Sequence, residues 1–105
     1  MSQTNEVEIK GNAKTPVHIT AVVDTEIPYV EFAHKDESLM LHYDFKPNDV
    51  IEVDFEKEKV YINGKLQQST IDLVKADFFE LGHGINEIKT VPAMQLDVKY
   101  RERWL

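Results

Sequence analysis

Hydrophobic and polar residues alternate with a period of two along most of this chain. Five segments show the pattern, each with its apolar residues at every second position: residues 17–23, 29–33, 39–45, 51–55 and 94–100. Such alternation is typical of β-strands that bury one face of a sheet and expose the other. Polar stretches interrupt it every several residues, as turns between antiparallel strands do. The pattern therefore predicts eight or nine short strands and no long helix.

Turn-forming residues divide the chain into hairpins. Lys46-Pro47-Asn48-Asp49 is a strong turn sequence, because proline presets φ and Asn or Asp can bond the local backbone. Asn63-Gly64 follows the apolar run Val60-Tyr61-Ile62 directly. That dipeptide is typical of a type I′ turn, whose two central residues both need positive φ. We therefore expect a three-stranded meander from residue 50 to about residue 68.

Three segments carry a weaker pattern. Ile71, Val74 and Phe78 have a spacing that fits one short helical turn, and Phe78-Phe79 favours a packed irregular segment or a short strand. Gly82-His83-Gly84 predicts a turn. The last residues, Glu102 to Leu105, either prolong the final strand or wrap around its edge.

The predicted fold class is all-β. Many short strands without a long helix favour two packed antiparallel sheets, as in a jelly roll or a related β-sandwich, and a closed barrel is the alternative. The 105 residues match the commonest size of one domain, so we expect a single domain over residues 1–105.

Charge and composition narrow the classes of partner. The chain has 19 acidic and 12 basic residues, a net charge of −7, which repels nucleic acid and anionic lipid surfaces. It has no cysteine, which removes disulfides and thiolate chemistry. The N-terminal residues are polar and lack the pattern of a signal peptide. We expect no nucleic-acid partner, no membrane and no cofactor.

The histidines and carboxylates do not form a recognisable catalytic or metal-binding motif. No two histidines have a spacing that suits one metal ion, and all four are expected to face solvent: His18, His34, His42 and His83. Glu52 and Asp54 lie on one face of a strand, where an ordinary solvated surface is favoured over acid–base work. The polar turns Asp24-Thr25-Glu26 and Asp36-Glu37 lack the spacing of a calcium loop. The sequence therefore predicts no catalytic residue and no metal site.

Four aromatic residues are candidates for a platform on which a sugar ring could stack: Tyr29, Tyr43, Tyr61 and Trp104. In a small sandwich such residues more often lie in the core or at a sheet edge. Tyr29 and Tyr61 have polar neighbours in phase, so we take these two as possible contacts to a partner or a sugar. Trp104 and at least one of Phe78 and Phe79 are expected to be buried.

Several sequence blocks together resemble the C-terminal domain of the phage distal tail protein family of long-tailed siphophages. Gly11-Asn12-Ala13, Pro16 and Val60-Tyr61-Ile62-Asn63-Gly64 fit it, and the resemblance runs from about residue 8 onward. The more specific blocks lie near the end of the chain: Asp77-Phe78-Phe79-Glu80-Leu81, then Gly84 and Asn86, then Tyr100-Arg101-Glu102-Arg103-Trp104-Leu105. Gly82-His83 departs from the Lys-Pro-like pair expected before the glycine, which affects one turn.

The resemblance implies a galectin-like β-sandwich at the tail tip of a virion, made in the bacterial cytoplasm. It implies docking to receptor-binding or tail-fibre components and to the tail hub, with the motif residues in structural roles. The family's N-terminal ring-forming domain has no counterpart here, so we expect an excised domain or a short gene product that is monomeric alone. A carbohydrate-binding module that contacts host cell-wall glycan is the alternative function. A small hydrolase is the third, and no motif supports it.

Overall fold

The computed structural model describes residues 2–105, and eleven β-strands make up most of them. The alternation indicated eight or nine strands, because it gave no strand for residues 3–9 and suggested a helical turn where residues 71–76 form a strand. No helix in residues 2–105 is long and apolar enough to cross a membrane. The strands are β1 (Gln3–Ile9), β2 (Thr15–Val22), β3 (Ile27–His34), β4 (Glu37–Phe45), β5 (Val50–Asp54), β6 (Lys59–Ile62), β7 (Lys65–Leu66), β8 (Ile71–Ala76), β9 (Glu80–Leu81), β10 (Gly84–Val91) and β11 (Leu96–Tyr100).

The strands form two antiparallel sheets. The first has the order β1-β10-β3-β4-β8, and the second has the order β11-β2-β5-β6-β7, with β9 paired to the start of β2. The side chains of one phase from both sheets form one apolar core, which includes Ile19, Phe32, Leu41 and Val53. The predicted all-β, two-sheet antiparallel sandwich is confirmed.

The turn at Asn63-Gly64 has the predicted geometry. The φ angles are 52° and 80°, and Ile62 pairs with Lys65 across a two-residue loop. The Asn63 side chain also joins this turn to the one between β4 and β5, because Asn63 Oδ1 accepts a bond from Val50 N and Asn63 Nδ2 donates to Asp49 Oδ1, at 2.9 Å each. This bond to Asn63, followed by a backbone bond from Lys46, lowers the pKa of Asp49.

The predicted helical turn through Ile71, Val74 and Phe78 is wrong. A 3₁₀ helix covers Gln68–Thr70, and the residues after it form β8, the edge strand of the first sheet. Ile71 and Phe78 pack partly against the core, whereas Val74 is exposed. The spacing matched a helix by coincidence, because one of the three residues has no part in the core.

Candidate functional site

The C-terminal segment docks onto the loop between β1 and β2, although the two are about ninety residues apart in sequence. Three hydrogen bonds make the contact: Lys10 N donates to Glu102 Oε1 at 2.7 Å, Ala13 N to Arg103 O at 3.1 Å, and Leu105 N to Asn12 Oδ1 at 2.6 Å. Two of the sequence blocks that carry the family resemblance therefore meet in space. We call residues 10–13 and 102–105 together the terminal clasp.

Gly11 is required by the close approach of the two halves of the terminal clasp. A Cβ atom at this position would overlap the backbone of Arg103. Two further contacts fix the surroundings of the clasp, since Tyr100 Oη donates to Glu8 O at 2.9 Å and His83 Nδ1 lies 3.2 Å from Gly11 O. The segment after β11 thus wraps across the end of the sandwich and does not extend the strand.

Trp104 is exposed, which corrects the expectation that it is buried. The fraction of its surface open to solvent is 66%. Of its neighbours, Arg103 accepts a bond from the amide of Ala13 through its carbonyl, and the amide of Leu105 donates to the Asn12 side chain. The single tryptophan of the chain is therefore displayed on the surface by a backbone that is fixed on both sides of it.

Asn86 organises the loop beside the terminal clasp. Its Nδ2 donates to Gly82 O at 2.8 Å and to Gly84 O at 3.2 Å, and its Oδ1 accepts from Gly82 N at 3.2 Å. Its Oδ1 also lies 3.1 Å from Nε2 of His34. The two bonds from Nδ2 fix the orientation of the amide, and because Oδ1 can only accept, Nε2 of His34 is the donor in that contact. Asn86 is thus a buried structural residue that ties β10 to β3 and to the turn before β10.

His34 is buried, so the expectation that all four histidines face solvent is wrong for this one. It is the last residue of β3 and continues the inward phase of Val30 and Phe32. Its ring lies 5.4 Å from that of Phe79, and its Nδ1 has no hydrogen-bond partner among residues 2–105. The polar residues after it suggested a turn, whereas the strand phase was the more informative signal.

The Asp-Phe-Phe-Glu block, residues 77–80, links β8 to β9 and packs its two phenylalanines against the core. Phe79 is buried, as expected of at least one of the pair, and its ring lies 4.6 Å from that of Phe55. Phe78 is half-buried and meets Phe55 edge-on at 5.8 Å. Asp77 exchanges hydrogen bonds with the backbone of Ser38, while Glu80 is exposed on β9 and Gly84 begins β10. Except for Glu80, these motif residues have packing or hydrogen-bonding roles here.

The motif arginines Arg101 and Arg103 line a surface groove of about 510 Å³ at the end of the second sheet. Lys99 and His18 line the same groove. Arg103 forms an ion pair with Glu56 across it, and both side chains are solvent-exposed, so the pair contributes little to stability. The groove has a mixed charge and belongs to the same end of the molecule as the terminal clasp.

Tyr29 and Tyr61 do not lie together. Tyr29 is on β3 of the first sheet, between exposed Pro28 and buried Val30, and its cross-strand partner is His42. Tyr61 is on β6 of the second sheet, where its partners are Glu52 and Leu66. Both are half-buried residues on the outer faces, which point away from each other in a sandwich. They cannot form one platform, although each remains a possible single contact.

The candidate carboxylates have structural partners. Glu52 Oε2 lies 3.6 Å from Nε2 of His18, on the outer face of the second sheet. Asp54 Oδ1 accepts from the amides of Glu56 and Lys57 at 3.0 Å each and so fixes the turn after β5. Glu52 thus lies on a solvated sheet face as expected, whereas the role of Asp54 in fixing the turn was not predicted.

A polar cluster that the sequence did not predict lies at the edge of the first sheet. Asp72 accepts hydrogen bonds from Lys75 N at 2.8 Å, from Val74 N at 3.0 Å and from Nε2 of His42 at 2.7 Å. These bonds, with that from Lys75 first, lower the pKa of Asp72 to about 2. His42 and Asp72 are thirty residues apart, so spacing could not reveal the pair. The adjacent apolar residues Leu73-Val74, which break the alternation, were the available signal.

Comparison with known proteins agrees with the observed fold. Residues 10–104 match the model of the siphovirus-type tail component, C-terminal domain. The chain therefore belongs to this family, and a structural role in a phage tail follows from that membership. No curated protein sequence matches the chain significantly.

A solved structure of the Dit protein of phage SPP1 has a similar fold, with a TM-score of 0.79 at 18% identity. The similarity covers 97% of this chain and 46% of that protein, so the chain spans about half the length of its structural relative. That relative is described as a paradigm of the hub adsorption apparatus in phages that infect Gram-positive bacteria.

Proposed function

We propose that this protein is a docking domain of a phage tail tip, and that Trp104 on the terminal clasp is a principal contact to a neighbouring tail protein. The observation that carries this proposal is the display of a large aromatic side chain by a fixed backbone. Tryptophan is enriched among residues that dominate binding energy at protein interfaces. A backbone that is already ordered loses little entropy when a partner binds.

Because the chain belongs to a family of phage tail components, we expect its partner to be another tail protein. Receptor-binding components, fibre components and the tail hub are the tail proteins that such a domain would join. The hydrogen bonds of residues 10–13 and 102–105 leave the Trp104 ring free to enter a pocket of such a partner. The family relationship and the exposed aromatic residue thus support the same role by independent routes.

The test is a binding measurement with the purified tail proteins encoded beside this chain in its phage genome. We expect one of them to bind the wild-type chain, Trp104→Ala to weaken binding at least tenfold, and Trp104→Phe to retain most of it. Thermal unfolding should change little in Trp104→Ala, because most of the ring is already exposed. If none of these proteins binds, the docking role is wrong, and if Trp104→Ala binds as the wild type does, Trp104 is not a principal contact.

A glycan array tests the alternative of a carbohydrate-binding module. The array would include cell-wall fragments of the host, and Tyr29→Ala and Tyr61→Ala would be measured beside the wild type. Because the two rings face opposite sides of the sandwich, each variant should affect a sugar independently of the other. Saturable glycan binding that either variant abolishes would favour the alternative function.

A further inference from the structure

The edge strand β8 carries a protrusion made of two apolar side chains. Its cross-strand pairs with β4 are Leu41 with Ile71 and Leu39 with Ala76. Between these pairs β8 has the four residues 72–75 where β4 has only Met40. The extra residues bulge outward, and the exposed fractions at the tip are 99% for Leu73 and 86% for Val74. We call residues 72–75 the β8 bulge.

The β8 bulge is held in place by side-chain contacts at its base. Asp72 Oδ2 accepts from the amides of Val74 and Lys75, and Asp72 Oδ1 contacts Nε2 of His42. Lys75 Nζ lies 3.4 Å from Oε2 of Glu31 on β3. Asp72 thus contacts β4 and Lys75 contacts β3, so both ends of the bulge are held against the first sheet, with Leu73 and Val74 at its tip.

We propose that Leu73 and Val74 insert into an apolar pocket with a basic rim on another tail protein. The proposal rests on the docking function above and adds a second contact at a different place on the domain. Single exposed apolar residues are common, but two adjacent ones at the tip of a protrusion form a compact apolar surface that no side chain of residues 2–105 covers. Burial of such side chains favours association.

The charges around the bulge indicate which charge the rim of the partner's pocket carries. Glu31, Asp72 and Asp77 lie at or beside its base, with Lys75 as the nearby cation. The whole chain carries a net charge of −7. A basic rim would therefore be attracted to this surface and would raise the rate of encounter. A second copy of this chain would bring further acidic residues to the contact, which disfavours self-association here.

The contact is made by side chains and not by an added β-strand. A strand that joined this edge would need free backbone donors along β8. The amides of Val74 and Lys75 already donate to Asp72, and the bulge bends this part of the edge out of line. Bulges of this kind protect edge strands from pairing with other chains. A folded partner with a pocket therefore suits the protrusion.

The experiment compares the double variant Leu73→Ser/Val74→Ser with the wild type against the same purified tail proteins. We expect the dissociation constant of one of them to rise about tenfold to a hundredfold, which corresponds to loss of about one fully buried aliphatic side chain. Leu66→Ser is the matched control, because Leu66 is an exposed leucine on the second sheet, with 52% of its surface accessible. Because the substituted side chains are exposed, the melting temperature should not change.

The outcomes separate this inference from the proposed function. Binding that Trp104→Ala weakens and the double variant leaves unchanged overturns only the β8 bulge as a contact. Binding that the double variant weakens and Trp104→Ala leaves unchanged supports the bulge and refutes Trp104. Failure of every tail protein to bind the wild type overturns both. Affinity that does not fall with added salt, or a wild-type dimer that the double variant abolishes, contradicts the basic-rimmed partner.

Discussion

Gly64 has a φ of 80° in the turn between β6 and β7, and no atom lies near the position of a Cβ. A side chain there would meet no neighbour, so any cost of substitution arises from the backbone conformation alone. We expect Gly64→Val to lower the free energy of unfolding by about 1–2 kcal/mol, because a β-branched residue disfavours positive φ. Chemical denaturation measures this, with Lys65→Val in the adjoining strand as the control. Equal stability of Gly64→Val and the wild type would contradict the type I′ turn.

Asp72 gives a second prediction at the residue scale, in acid. Its pKa falls from 3.8 to about 2 in the folded protein, with the amide of Lys75 as the main cause. A carboxylate with a lowered pKa stabilises the fold above its unfolded pKa, and this contribution disappears as the pH falls toward the folded pKa. The stability advantage of the wild type over Asp72→Asn should therefore be constant near neutrality and shrink as the pH falls from about 4 to about 2.

Denaturation curves over this pH range test the Asp72 prediction. Asp24→Asn, in an exposed turn, is the control for loss of a negative charge. The difference in free energy of unfolding between the wild type and Asp24→Asn should change less with pH than the difference between the wild type and Asp72→Asn. If the stability difference between the wild type and Asp72→Asn increases in acid, the carboxylate does not stabilise the bulge.

Individual side-chain environments were predictable only where the strand phase was clear. The inward positions of Val30, Phe32 and Leu41 follow from alternation, and the same phase extended by two residues would have placed His34 inside. His34 was instead expected in a turn, because histidine is polar and polar residues follow it. Trp104 shows the reverse case, since a large aromatic residue suggests burial but lies on a segment outside every strand.

At the scale of elements, the terminal clasp depends on a glycine that permits two backbone segments to touch. We expect Gly11→Ala to displace residues 102–105, because its Cβ would overlap the Arg103 backbone, which cannot rotate away as a side chain can. The amide hydrogen of Ala13, which is bonded to Arg103 O, should then exchange faster with solvent. Fluorescence of Trp104 should also report a changed environment.

Gly82→Ala is the matched control for the terminal clasp. A Cβ at Gly82 meets no atom within 4 Å, so the same added methyl group fits without displacement. Amide exchange at Ala13 should therefore match the wild type in Gly82→Ala and rise in Gly11→Ala. Unchanged exchange in both variants would mean that the two segments do not depend on this close approach.

Hydrophobic periodicity defined most strands but could not define how distant elements meet. The meander β5-β6-β7 was predictable because its turns and strands are continuous in sequence. The contact between residues 10–13 and 102–105 was not, because it is made by backbone groups and polar side chains at opposite ends of the chain. The β8 bulge was missed for a related reason, since its bracing partners His42 and Glu31 lie on other strands.

At the scale of the whole molecule, the two candidate contacts lie on different parts of one sandwich. The terminal clasp lies beside β1 and β2, whereas the β8 bulge lies at the edge of the first sheet furthest from β1. A domain with two separate contacts can join two tail proteins, or bind one at two points with a gain in effective concentration. Measuring Trp104→Ala and Leu73→Ser/Val74→Ser against each tail protein distinguishes the two arrangements. If both sites bind one partner, both variants lower the affinity for that partner. If the sites bind different partners, each variant lowers the affinity for a different one.

The net charge of the whole molecule leads to the last prediction, that the isolated chain is monomeric at micromolar concentration. Each copy carries −7, so two copies repel, and the β8 edge is blocked to strand addition by the bonds of Asp72. Light scattering coupled to size exclusion should give the mass of one chain in low salt. Added salt screens the repulsion, so any self-association through Leu73 and Val74 should emerge there first and be absent from the double serine variant. A stable hexamer in low salt would show instead that this domain assembles through its own surfaces, and a heterologous tail partner would no longer be needed to cover them.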